Sequence, residues 1–115
     1  MLQYQASPLD LMFQALADPA RRAMLDRLTR GPASVGELAK PFAMTLSAIM
    51  QHLNVLTGSG LVKTDKVGRV RTCQLNTVAL RSAEQWIADR RLTWERRLDR
   101  LGAFLDANPE DPDAS

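Results

Sequence analysis

The stretch SVGELAKPFAMTLSAIMQHLNVLT, residues 34–57, decides how this chain folds. It opens on Ser34-Val35-Gly36-Glu37, a capping box in which the serine hydroxyl and the glutamate carboxylate each accept the other residue's backbone N–H. The helix begun there has barely two turns, because the ring of Pro41 disfavours helical geometry in the residue before it. After Phe42-Ala43-Met44, Thr45 supplies a second cap and predicts a helix to about Thr57, where Gly58-Ser59-Gly60 permits a left-handed exit. At about 100° per residue, Ile49, Leu53 and Leu56 of that second helix fall within roughly a 60° arc and must face a core. Ser47, Gln51 and Asn54 then point the opposite way.

Working outward, Leu61-Val62-Lys63-Thr64 and residues 70–75, rich in β-branched side chains, flank a turn at Asp65-Lys66-Val67-Gly68-Arg69 and read as a β-hairpin. On the other side, Ser7-Pro8-Leu9-Asp10 is a capping box with proline at the first helical position, followed by Leu9, Met12, Phe13 and Leu16 at helical spacing. Asp18-Pro19 repeats the cap-then-proline signal for a helix over about 19–30, stopped by Gly31-Pro32. From about Thr77 to Leu105 there is no proline and a single glycine, and Leu80, Ala83, Ile87, Trp94, Leu98, Leu101 and Leu105 recur on one stripe. That predicts one long helix, or two with a break near Arg90-Arg91 or Gly102. The reading is a mainly α fold: four helices, a small β-hairpin and a long C-terminal helix, one domain over 1–105. Residues 106–115, with four acids and two prolines, read as an acidic disordered tail.

Composition fits this order. A chain of 115 residues suits one domain, and its six aromatic residues leave the core to aliphatic side chains, as in helix-on-helix packing. The net charge of +2 conceals an asymmetry: setting aside the four tail acids leaves 9 acids against 15 bases, or +6 over residues 1–105. That balance favours a polyanionic partner. One cysteine, Cys73, cannot form an intramolecular disulfide and reads as a small buried hydrophobe, with a redox-sensing thiol as the alternative. No apolar run approaches the roughly 18 to 20 residues needed to span a bilayer, and MLQYQASPLD lacks a basic-then-apolar leader, so no membrane role and a cytoplasmic address are expected.

The two short helices at 34–57 read as a helix-turn-helix, a motif whose second helix enters the DNA major groove while the first braces it. Glutamine and asparagine amides offer a donor and an acceptor together to adenine, and serine serves several bases, so the outward face suits base reading. Beside it the hairpin carries Lys63, Lys66, Arg69 and Arg71 against the lone acid Asp65, a charge pattern suited to gripping phosphate. The DNA-facing set is therefore Thr45, Ser47, Ala48, Met50, Gln51, His52 and Asn54 on the helix, with the four hairpin bases. His52 lies between the inward and outward faces, where it either packs and hydrogen-bonds beside the groove or, protonated, meets a phosphate. Arg21 and Arg22, near the start of the second helix, are weaker candidates for phosphate contact and read in the first place as ordinary surface charges. No Cys/His pair, workable Ser/His/Asp set or glycine-rich phosphate loop is present, so no enzyme activity is expected.

Leu16-Ala17-Asp18-Pro19-Ala20-Arg21-Arg22, Ser34-Val35-Gly36-Glu37-Leu38-Ala39, residues 44–56, Gly60-Leu61-Val62 and Gly68-Arg69 together resemble the ArsR/SmtB family of bacterial winged helix-turn-helix regulators, over nearly all of residues 8–105. The resemblance implies a homodimer built from the first and last helices, a recognition helix at about 45–57, a basic wing at 63–71, and repression from a palindromic operator. The implied dimer seam comprises Leu9, Met12, Phe13, Leu80, Ala83, Ile87, Trp94, Leu98, Leu101 and Leu105. The family's cysteine metal motif is replaced by Glu37-Leu38-Ala39-Lys40, and residues 77–105 contain no histidine, so neither known metal site carries over. The similarity is to the metal-free branch, with no cofactor and an effector that these residues do not disclose. Two other readings use the same residues: a metal-responsive repressor with an unrecognised site, and a helical protein-interaction module that never touches DNA.

Overall fold

The computed structural model describes residues 6–108 and contains α1 (Pro8–Leu16), α2 (Pro19–Leu28), β1 (Ala33–Ser34), α3 (Val35–Ala39), α4 (Leu46–Gly58), β2 (Val62–Val67), β3 (Val70–Leu75) and α5 (Thr77–Ala107). The helical starts follow the caps legible in the sequence. Ser7 and Asp10 exchange hydrogen bonds at 3.2 and 2.8 Å, and Ser34 and Glu37 do so at 3.1 and 3.3 Å. The Asp18 carboxylate accepts the N–H groups of Ala20 and Arg21, and the Thr45 hydroxyl accepts that of Ala48. Each cap satisfies N–H groups that have no partner within their own helix. Glu37 also takes a guanidinium nitrogen of Arg27 at 3.3 Å, which ties α3 to the last turn of α2.

The structure departs from the sequence reading in four places. Helix α2 ends at Leu28, short of the predicted position 30, because Thr29 closes the turn back onto Leu25 and Asp26. The strands reach closer to each other than predicted, pairing as far as Val67 with Val70 and leaving a two-residue turn of Gly68 and Arg69. Gly68 takes φ +63° while Arg69 does not have positive φ, the pattern of a type II′ hairpin turn whose twist suits the strands. A third strand joins the hairpin: β1 pairs antiparallel with β3, giving the order β1-β3-β2, with Ala33 opposite Cys73 and Ser34 opposite Thr72. Two residues carry no periodicity to read, so β1 has no signature in the sequence. Finally, α5 is one continuous helix through Arg90-Arg91 and Gly102, and takes in Asp106 and Ala107 from the expected acidic tail. The tail from residue 109 lies outside the described residues.

Contacts divide the chain between Ala83 and Glu84 into two units. The first holds the core. Its fully buried side chains include Met24, Leu38, Ile49, Leu56, Leu61 and Cys73, joined by Met12 and Ala15 of α1, Leu53 of α4, and Ala79 and Ala83 of α5. Cys73 sits opposite both Ala33 and Thr64 in the sheet, and burial pushes its thiol above the usual range, so it packs as a small apolar residue. In the second unit the Arg90 guanidinium stacks 4.3 Å from the Trp86 ring and Arg91 pairs with Glu95 at 3.2 Å. No helix among the described residues is long and apolar enough to cross a membrane.

One residue closes the first unit. The Asn76 side-chain amide donates to the Gly60 carbonyl at 2.9 Å, its oxygen accepts the Ala79 N–H at 3.4 Å, and its backbone N–H donates to Leu61 at 2.8 Å. It thus fastens the exit from α4 to the start of α5. Gly60, with φ +83°, and the buried Ser59, whose hydroxyl donates to Leu56 and accepts from Leu61, complete that turn. Asn76→Ala removes the cap and leaves the Gly60 carbonyl without its amide partner. We expect a loss of about 1–2 kcal/mol in urea unfolding. Asn54→Ala, on the exposed face of α4, should stay within about 0.5 kcal/mol of the parent. Equal effects of the two substitutions would show that the Asn76 fastening contributes nothing.

Candidate nucleic-acid interface

Helix α4 is held by its own apolar face. Ile49, Leu53 and Leu56 are buried, and the Thr45 hydroxyl, 3.1 Å from the Ala48 N–H, fixes the first turn. With the helix so locked, Ser47, Gln51 and Asn54 are exposed, and among the described residues their side chains make no hydrogen bond. Their donors and acceptors are therefore free to meet a ligand. Thr45 is exposed beside them and Ala48 is half-buried at their edge. Met50 packs against the core.

His52 is turned toward the protein. Its Nδ1 lies 3.3 Å from Arg21 Nη1 and 3.9 Å from an Asp18 carboxylate oxygen. The first distance is a hydrogen bond and the second is too long to be one. Since guanidinium can only donate, Nδ1 accepts, and this geometry assigns the ring proton to Nε2. Arg21 has no nitrogen left idle: Nε donates to the Ala15 carbonyl at 2.8 Å and Nη2 to that of Gln14 at 2.9 Å. Arg22 donates to the Leu16 carbonyl at 2.7 Å. These two arginines, read from the sequence as surface charges, cap the carbonyls at the end of α1, and Arg21 extends that cap to α4. Asp18 completes the junction. The backbone N–H of Arg21, followed by that of Ala20 and the charge of Arg21, holds its carboxyl below the usual carboxylate value.

The strand register sorts the hairpin bases. Directly opposed residues share a face, so Lys66 and Arg71 lie side by side on the face that carries Thr64 and Cys73. Lys63, opposite Gln74, shares the other face with Asp65, opposite Thr72. Arg69 occupies the turn. All four bases are exposed, and among the described residues none takes part in an ion pair. The Lys66–Arg71 pair places like charges across from each other, an arrangement that costs stability unless an anion lies between them. An uncharged, hydrogen-bonding helix face and a cationic ribbon thus occur in one folding unit, with no group of three or more metal-ligating side chains among the described residues.

The expected seam residues separate into two sets. Met12 and Ala83 are buried in the core, and Leu9 and Leu80 are half-buried against it. Phe13, Ile87, Trp94, Leu98, Leu101 and Leu105 remain exposed. The sequence marked Asp18 as a helix cap and Arg21 as a surface charge, but neither as part of this junction, and the fastening residue Asn76 was not singled out.

A profile of helix-turn-helix domains matches residues 16–65. The HTH-type transcriptional regulator Rv2034 of Mycobacterium tuberculosis is 38% identical over 102 residues, which span 89% of this chain and 92% of that protein. The transcriptional repressor SdpR of Bacillus subtilis is 32% identical over 76 residues, 66% of this chain and 84% of that one. A solved structure of an ArsR family transcriptional regulator matches with a TM-score of 0.75 at 50% identity, covering 77% of this chain and 98% of that chain.

The Asp18 junction gives a pH signature. A carboxyl held below its ordinary 3.8 in the folded protein contributes stability that is fully present above that value and is lost as pH falls through the lower, folded value. Asp18→Ala should therefore unfold at lower urea than the parent at pH 7, and the gap between the two proteins should shrink below pH 3.8. A gap independent of pH would mean that the charge on Asp18 does not matter to the fold.

Proposed function

The chain belongs to the ArsR/SmtB family of winged helix-turn-helix transcriptional regulators, and from that premise we propose that it is a homodimeric repressor that reads a palindromic operator with α4. As a member of that family it is a DNA-binding protein; the residues in contact, the assembly and the sign of regulation are the proposal. One observation carries it: the exposed Ser47, Gln51 and Asn54 form an uncharged face on a helix whose rotation is fixed by three buried aliphatic residues. Such a face brings no charge to phosphate and offers paired donors and acceptors to base edges. The β2–β3 hairpin supplies the complementary part, with Lys63, Lys66, Arg69 and Arg71 as phosphate contacts. An anion beside Lys66 and Arg71 would relieve their mutual repulsion. The likeness to a named repressor supports repression. DNA as the partner supports a cytoplasmic site of action.

Assembly is argued from α5. At about 100° per residue, Ile87, Trp94, Leu98, Leu101 and Leu105 fall within roughly a 60° arc, and all five are exposed. An apolar stripe of that length is normally covered, and a second copy offers the same stripe about a twofold axis. A dimer of this kind addresses two half-sites about 34–36 Å apart, which is the reason for a palindrome.

The reading is tested by recovering bound fragments from the source genome with purified protein and measuring affinity for them. Gln51→Ala should cost about 1–3 kcal/mol on the preferred site and relax preference at one base pair per half-site. Arg69→Ala should weaken all sequences alike and lower the slope of log affinity against log salt by about one per contact. Unchanged affinity, base preference and salt slope in both variants would remove α4 and the hairpin from the interface.

Trp94, 60% exposed and near the middle of the α5 stripe, is the residue on which the seam should depend most, since buried aromatic residues dominate such interfaces. Trp94→Glu should sediment as a monomer and lose tight binding to a two-half-site operator. A Trp94→Glu protein that stays dimeric and keeps its operator affinity would place the seam elsewhere.

A further inference from the structure

The tip of α4 is apolar as well as uncharged. From Phe42 to Gln51 the chain carries no charged residue, although the segment opens the helix proposed to meet a polyanion. Its apolar side chains divide into two groups. Phe42 and Met50 pack against the core. Met44 and Leu46 do not: they are 41% and 65% exposed, just before and just after the capping residue Thr45. A single exposed leucine is ordinary on a protein surface. Leu46 differs in its place, because it is the first residue of α4 and the next exposed residues along the helix, Ser47, Gln51 and Asn54, offer only hydroxyl and amide groups. The Thr45 cap, bonded to the Ala48 N–H, fixes the turn on which Leu46 stands.

The residues at the N-terminal end of a recognition helix are the ones that reach base edges. In the major groove those edges present donors, acceptors and one apolar group, the C5-methyl of thymine. Phosphate and sugar oxygens offer nothing to a leucine side chain. We propose that Leu46, flanked by Met44, is a specificity-determining contact that reads the C5-methyl of a thymine in each half-site, next to the base edge read by Ser47. This rests on α4 being the recognition helix, and it adds a thymine preference that the polar face does not supply. The occupant is double-stranded DNA; a protein partner seated on Met44 and Leu46 is the competing outcome.

The test uses the full-length protein and an operator recovered from genomic fragments, in which deoxyuridine replaces each thymidine in turn so that only a methyl group is lost. At one position per half-site the substitution should weaken the parent protein about fourfold, the transfer free energy of one methyl-sized group. Leu46→Ala, which removes the contact from both half-sites, should bind the normal operator about as weakly as the parent binds an operator carrying uracil at that position in both half-sites, and should be indifferent to the substitution there. Leu46→Gln should replace the thymine preference at that base pair in a site library. An operator set without a thymine preference, a parent protein indifferent to every substitution, or a Leu46→Ala protein as sensitive as the parent would each overturn the proposal. Gln51→Ala, measured on the same operators, separates the two layers: if it alters base preference while Leu46 proves silent, only the methyl contact fails, and if both are silent the assignment of α4 fails with it.

Discussion

Burial of Ile49, Leu53 and Leu56 is the constraint from which the rest of the recognition surface follows. A helix of 13 residues has one rotational degree of freedom about its axis, and exposing any of these three to water would cost about 1.5–3 kcal/mol. That penalty leaves a single rotation, and with it a single set of outward residues. The polar face of α4 is thus specified indirectly. Its members are free of protein partners because the apolar residues between them are not. Thr45 adds the axial constraint by ending the helix at a defined residue, so that Leu46 and Ser47 stand at the tip.

The junction of α1, α2 and α4 shows how a surface charge becomes structural. A guanidinium presents five N–H donors in a rigid fork, and Arg21 uses that fork to bind two carbonyls at the end of α1 and the His52 ring on α4. Asp18 caps α2 while standing near the same histidine. Helix ends, which otherwise leave carbonyls and N–H groups unpaired, are here satisfied by side chains that also hold the helices to one another. The orientation of α4 therefore depends on polar contacts at its border as well as apolar contacts beneath it.

The hairpin works by different physics. Its tip holds two like charges in direct cross-strand register, with the one nearby acid, Asp65, on the opposite face. Removal of that acid from the Lys66–Arg71 face follows from the period-2 alternation of a strand. A charge count along the chain sees four bases and one acid; the register places Asp65 with Lys63 and leaves the remaining bases unneutralised.

Sequence alone determined the first four helices, the hairpin and their order. Ser7, Asp18, Ser34 and Thr45 announced four helix starts, Pro41 and Gly31-Pro32 announced stops, and apolar spacing marked the inward face of α4, because caps, proline and periodicity act over three or four residues and are visible at that range. The outward positions of Ser47, Gln51 and Asn54 followed from the same local geometry. Tertiary structure decided what local rules do not reach. It added the two-residue β1 through its pairing with β3, and it buried Met12 and Ala83, two of the expected seam residues, in the core. It turned His52 to Arg21, 31 positions away, and fastened Asn76 to Gly60 across 16. Those contacts join residues that no helical or strand period connects. Their partners are set by how the elements pack, and packing is a property of the whole core rather than of any segment in it.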